Sequence, residues 1–284
     1  MHKKIIILRL IGGLGNQLFQ LQYALNFLSK NEVELKIDDS FLSLSKKSHE
    51  VVAVDALTRR FSTIRLGWFE LKIKRSIERL FHKIKQPVPD ILNPIFIFEN
   101  SILKIKKKDR LVVDGFWQNK LYINSDFIED IRGLISAEQN SQRLTNIENN
   151  VVCVHIRRGD YLTNRRFFIS QQSVLSMDYY RKAFLHFNEC DASCQFEIYT
   201  DDEDWARSVF LNQQNVVIVE TRDMEPFMIL LMMSCYSRFI IANSTLSWWA
   251  AVTSSSKNKE VVLPMLWGKN QSSEHLRLDG WHAL

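Results

Sequence analysis

At 284 residues, 46% of them hydrophobic and 24% charged, the chain can build one large core or two of medium size, and it is too apolar for a disordered protein. A net charge of +5 is too mild to imply a nucleic-acid partner, and no DNA- or RNA-binding motif accompanies it. No stretch reaches the roughly 18 uninterrupted apolar residues of a membrane helix.

The chain opens directly in a buried strand over residues 4–11 (Ile5, Ile6, Ile7, Leu8), so Met1 to Leu10 does not read as a signal peptide. A glycine turn (Gly12, Gly13, Gly15) leads into a helix reaching about Ser29, and Glu34 to Asp38 reads as the next strand. Residues 69–85 have helical spacing, with Leu71, Ile73, Ile77, Leu80, Phe81 and Ile84 against a basic face. That face is either solvated or a surface for anionic lipid head groups. Leu111–Phe116 is predicted as a strand and Asp126–Ile135 as a helix.

The polar stretch from Ser136 to Asn150 is the best domain boundary, dividing an N-terminal unit over 1–140 from a C-terminal unit over 151–284. Beyond it, strands are predicted at 151–156, 196–200, 216–219, 238–241 and 260–263. Helices are predicted at 177–188, 203–211, 224–234 and 245–254. Apolar strands alternating with helices predict a parallel sheet covered on both faces. The fold class is therefore α/β, with two Rossmann-like domains facing across a cleft. The four cysteines, at 153, 190, 194 and 235, contain no C-x-x-C pair and read as reduced thiols of a cytoplasmic protein.

Three strand ends of the second unit carry polar clusters. The first strand runs into His155-Ile156-Arg157-Arg158-Gly159-Asp160-Tyr161, where two adjacent guanidinium groups and a glycine suit the oxygens of a diphosphate. A second ends in Tyr199-Thr200-Asp201-Asp202, whose carboxylates accept donors from a purine edge or ribose hydroxyls. Asp202-Glu203-Asp204 also contains a D-x-D pattern, which either holds a divalent metal or caps a helix at Glu203. The third is Asn243-Ser244-Thr245, opening a helix whose unpaired N–H groups attract anions, with Trp248 and Trp249 reading as core beneath it.

In the first unit, Gly12–Gly15 with Asp38 invites a dinucleotide reading, but Leu18 stands where a third glycine is needed. Asn16 and Gln17 instead place two amides at the helix start, suited to a hydroxyl-rich ligand or, for Asn16, to capping the helix.

Four blocks together, Gly12–Gln20, His155–Tyr161, Tyr199–Asp202 and Asn243–Ala250, resemble the α-1,2-fucosyltransferases of glycosyltransferase family 11, in the family's order and over essentially the whole chain. The resemblance implies a GT-B fold, GDP-β-L-fucose as donor, and inverting transfer to the 2-hydroxyl of a β-galactoside without a metal. It puts Arg157 on the diphosphate and His155, Arg158 and Asp202 around the GDP, with Asn243, Ser244 and Thr245 completing that pocket. Gly15, Asn16 and Gln17 come from the other unit, with the two amides near the reacting sugars. Asp160 either takes the acceptor's proton or orients Arg157 or His155. An undecaprenyl-linked oligosaccharide of a surface glycan such as O-antigen is the expected acceptor, with peripheral contact at the inner face of the plasma membrane. Two other readings are an NAD-dependent oxidoreductase and a non-catalytic sugar-binding module.

Overall fold

The computed structural model describes residues 4–28, 33–39, 62–64, 96–98, 110–145, 147–163 and 174–284. The helix expected over 69–85 lies outside the described residues. Two compact units divide the chain, Met1–Trp117 and Gln118–Leu284.

In the first unit, β1 (Lys4–Arg9), β2 (Val33–Asp38), β3 (Ser62–Ile64), β4 (Phe96–Phe98) and β5 (Arg110–Asp114) form a sheet in the order β3-β2-β1-β5-β4. Every pairing among these described strands is parallel. Ile6, Leu8, Leu35, Ile37 and Val113 are buried in it, as continuous apolar strands of a doubly covered sheet should be. Helix α1 (Leu14–Leu28) lays Leu18 and Leu21 into the same core. Strand order reverses at β1, so the glycine turn that follows it stands at the switch point of the sheet.

The main sheet of the second unit has six described strands in the order β13-β10-β9-β6-β7-β8: β6 (Val151–Ile156), β7 (Gln195–Thr200), β8 (Val216–Ile218), β9 (Arg238–Ile240), β10 (Glu260–Leu263) and β13 (His282–Ala283). All are parallel, and a small antiparallel hairpin of β11 (Leu266–Gly268) and β12 (Gln271–Ser272) precedes the last. Five helices complete the described elements needed here: α2 (Ser125–Gln142), α3 (Gly159–Thr163), α4 (Met177–Cys190), α5 (Glu203–Phe210) and α6 (Pro226–Met233). A sixth, α7 (Thr245–Thr253), is buried along most of its length. Tyr180, Phe187, Phe196, Ile198 and Val262 are among the side chains of the core.

The stretch expected as a linker is different in kind. Residues 136–142 are the last two turns of α2, which begins at an Asn124 cap accepting from the Phe127 N–H at 3.0 Å and ends at Arg143 in the left-handed conformation. Its polar residues are the wet face of a helix docked on α6 and α7: Ile135 is buried, and Gln139 donates to the Leu231 carbonyl at 3.0 Å and to Ser234 at 2.9 Å. A polar run in sequence is equally a linker or one side of an amphipathic helix. The division between units consequently falls at 117/118, ahead of this helix.

Candidate active site

In a parallel sheet all carboxyl ends lie on one edge, and β9, β6 and β7 are consecutive neighbours. Strand order reverses at β6, the place where open α/β sheets receive their ligands. The three polar clusters predicted at separate strand ends are therefore side by side. Register fixes the detail: His155 is level with Tyr199 and Ile156 with Thr200, so Arg157 and Arg158 leave β6 opposite the two aspartates leaving β7.

Each arginine meets an aspartate. Arg157 Nη1 is 3.0 Å from Asp201 Oδ2, and Arg158 Nε donates to Asp202 Oδ2 at 3.1 Å. Asp201 also accepts from the Arg158 backbone N–H at 2.7 Å. A Cβ on Gly159 would stand 3.0 Å from that same carboxylate, so a larger residue would press on Asp201. Asp201, to which the sequence reading gave no individual role, is thus the hub of the turn. Its partner choice depends on β6 lying beside β7, and no local signal encodes that.

Asp202 behaves as a helix cap: its Oδ1 accepts from the Trp205 N–H at 3.4 Å at the start of α5. The other two carboxylates of the D-x-D are engaged separately. Glu203 is buried and accepts from the Thr221 N–H at 2.7 Å, while Asp204 pairs with Arg222 at 2.9 Å.

Tyrosines brace this edge. Tyr161 donates to the Asn243 carbonyl at 3.0 Å and lies under the Arg157 guanidinium, 5.7 Å from its ring centre. From α4, Tyr179 donates to the Ile241 carbonyl at 2.7 Å and Tyr180 to that of His155 at 3.3 Å. Burial pushes both phenols far above their usual range, so they remain donors. Asn243 is itself buried, its amide donating to the Trp267 carbonyl at 3.2 Å, which ties the turn to the C-terminal hairpin. Ser244 and Thr245 remain partly exposed at the head of α7. Trp248 and Trp249 are fully buried, as expected of core beneath the site.

His155 is buried, and among the described residues its Nδ1 meets no partner. Burial, and then the Arg157 charge, lower its pKa from 6.5 to about 4, with Asp201 opposing. Between those values the unfolded chain holds a proton that the folded one lacks, so stability falls as pH drops through that window. One such group adds a slope of roughly 1.4 kcal/mol per pH unit. Urea unfolding between pH 4 and 7 should show this acid limb, and His155→Phe should flatten it. An identical limb in the variant would refute a buried neutral imidazole.

The side chain of Asp160 lies outside the described residues. The remaining predicted residues belong to the first unit. Asn16 is the third residue of α1 and does not cap it; the first carbonyl accepting within that turn is that of Gly13. The Asn16 side chain folds back over Gly12, where a Cβ would meet its Nδ2 at 2.6 Å, and Gly12 has φ +78°. Gly15 is buried. Gln17 is wholly buried and donates to the Gly12 carbonyl at 2.9 Å, so the described contacts make it a brace of the glycine turn.

Gln20 goes further, accepting from the Ile11 N–H at 3.1 Å and donating to the Ile11 and Gly115 carbonyls at 3.2 and 3.1 Å. It bridges the crevice between β1 and β5 in which a dinucleotide would lie. Asp38 is fully buried against Arg9 at 3.5 Å, and Leu18 fills the core where a third glycine is required. These three features oppose the dinucleotide reading.

A parallel sheet with two arginine–aspartate pairs at its switch point defines the class as an open α/β protein. The chain belongs to glycosyl transferase family 11, whose profile matches residues 6–284, and it is a glycosyltransferase. Two Escherichia coli proteins are similar to it: the O-antigen biosynthesis glycosyltransferase WbnK and an alpha-1,2-colitosyltransferase. WbnK is 29% identical over 306 aligned positions, spanning 96% of this chain and 98% of that protein. The colitosyltransferase is 28% identical over 279, spanning 93% and 92%. Among solved structures, fucosyltransferase NodZ from Bradyrhizobium aligns with a TM-score of 0.48 at 13% identity, covering 88% of this chain and 93% of NodZ. Among the described residues no helix is long and apolar enough to cross a membrane.

Proposed function

We propose that this protein transfers L-fucose from GDP-β-L-fucose to the 2-hydroxyl of a terminal β-galactoside, with inversion and without a metal, in the synthesis of O-antigen or another surface glycan. The observation that carries the reading is the pair of arginines, each set by an aspartate, at the β6 switch point of a family 11 chain. The acceptor oxygen bonds to the anomeric carbon as the carbon–phosphate oxygen bond breaks on the opposite face, and the hydroxyl proton leaves to a base. Negative charge grows on the departing GDP, and guanidinium groups fixed in advance stabilise it with little reorganisation.

Arg157 and Arg158 take the diphosphate in this scheme. His155, Asp202 and the Asn243–Thr245 turn shape the nucleotide pocket, and Asp160 is the base or an orienting group. Asn16, Gln17 and Gly15 are assigned to the acceptor side, the two amides through the turn they hold. A lipid-linked oligosaccharide presented at a membrane surface is the acceptor class we favour.

The similarity to an alpha-1,2-colitosyltransferase favours a second donor, GDP-colitose. The test is transfer from each donor to a panel of β-galactosides in EDTA. Fucosyl transfer in EDTA is expected. Transfer from GDP-colitose alone would establish the second donor. Activity lost in EDTA and restored by Mn²⁺ would overturn the metal-free mechanism, and no turnover or binding of either donor would end the donor reading.

A further inference from the structure

Arg158 is held on two sides and open on a third. Its Nε is taken by Asp202, its backbone N–H by Asp201, and its Cζ lies 3.7 Å from the ring centre of Trp205. Among the described residues its two terminal amino groups have no partner, so the free edge is the paired fork that matches two phosphate oxygens. Trp205 is anchored in turn. It packs against the hydrophobic core and meets the Phe210 ring edge-on, with centroids 6.4 Å apart. One ring thus joins the core of the unit to the guanidinium.

We propose that Trp205 is a positioning residue that, with Asp202, fixes Arg158 as a rigid two-pronged grip for the donor's diphosphate. The physical case is entropic as well as electrostatic. A free arginine loses rotamer freedom when it is immobilised by a ligand, and a guanidinium already seated between a carboxylate and an indole face has lost most of it. The ring's quadrupole holds the cation without occupying a single N–H donor, whereas a second carboxylate would consume the fork it was meant to orient.

This inference rests on the diphosphate reading of the β6–β7 edge. Its test is a double-mutant cycle in the full chain, with GDP binding followed by calorimetry and transfer kinetics alongside. Trp205→Leu keeps apolar bulk without the aromatic face and should weaken GDP binding about 3- to 30-fold, the range expected of a cation–π contact. The loss should appear mainly in the donor KM, and Trp205→Tyr should recover most of it. In an Arg158→Ala background, Trp205→Leu should cost nothing further in affinity, because its effect passes through the guanidinium. Trp205→Met, which fills irregular core space, takes the place of leucine if that variant fails to fold.

An equal loss in both backgrounds, or wild-type affinity in Trp205→Leu, would overturn the positioning role and leave the site reading standing. A wild-type chain that does not bind GDP would overturn both.

Discussion

Replacing Arg157 with alanine should cut fucosyl transfer by about 10²–10³, equivalent to roughly 2.7–4 kcal/mol of transition-state stabilisation, while leaving the protein folded. The two magnitudes separate because the contacts differ in kind. In the resting protein Arg157 and Asp201 are 30% and 24% exposed, and an ion pair so open to water contributes at most about 1 kcal/mol to stability. In the proposed mechanism the same guanidinium faces charge growing on a departing diphosphate at close range and already in place. Arg157→Lys should recover only part of the rate, since an ammonium is a point charge without the planar fork. Transfer kinetics set beside urea unfolding of each variant check this. Near-wild-type turnover in Arg157→Ala would remove Arg157 from the catalytic machinery. Activity lost together with the fold would make it structural.

Trp248→Ala should lower the unfolding free energy by about 3–5 kcal/mol, a large part of the roughly 5–15 kcal/mol that holds a typical domain. The side chain is fully buried at the head of α7, edge-on to Trp249 with ring centres 5.2 Å apart and 6.0 Å from Trp281. Its Nε1 donates to the Leu276 carbonyl at 2.9 Å, so truncation leaves both a cavity and an unpaired buried acceptor. Trp248→Phe keeps much of the volume and loses the hydrogen bond, and should cost less. Equilibrium urea unfolding followed by circular dichroism measures both. A loss under about 1 kcal/mol in the alanine variant would mean that the site collapses around the gap. Because α7 presents the Ser244–Thr245 turn, the alanine variant should also bind GDP more weakly than the phenylalanine one.

Much of this architecture was legible in the linear chain. The run Val151–Ile156 is apolar apart from His155 because the strand is buried along its whole length, and that produces a pattern recognisable without a fold. Trp248 and Trp249 read as core beneath the third cluster, and both are fully buried. Asn16 shows where local reading fails. An amide near a helix start suits a cap, but the Gly13 carbonyl starts the helix, and the Asn16 side chain lies over Gly12 instead. Gln17 and Gln20 are polar and wholly buried, a combination that hydropathy alone assigns to a ligand or to the surface. Their partners are backbone groups, the Ile11 N–H and the carbonyls of Ile11, Gly12 and Gly115.

By itself the sequence determined the class of fold, the family and the four blocks that carry the candidate site, because strand and helix periods, glycine turns and cap residues act within a few positions of one another. Only the tertiary structure decided which of those residues hold each other. Arg158 reaches Asp202 across 44 positions, Tyr161 reaches Asn243 across 82, and Gln20 reaches Gly115 across 95. Each pairing follows from which strands lie side by side, and strand order is settled by the burial of whole faces rather than by any one segment's preference.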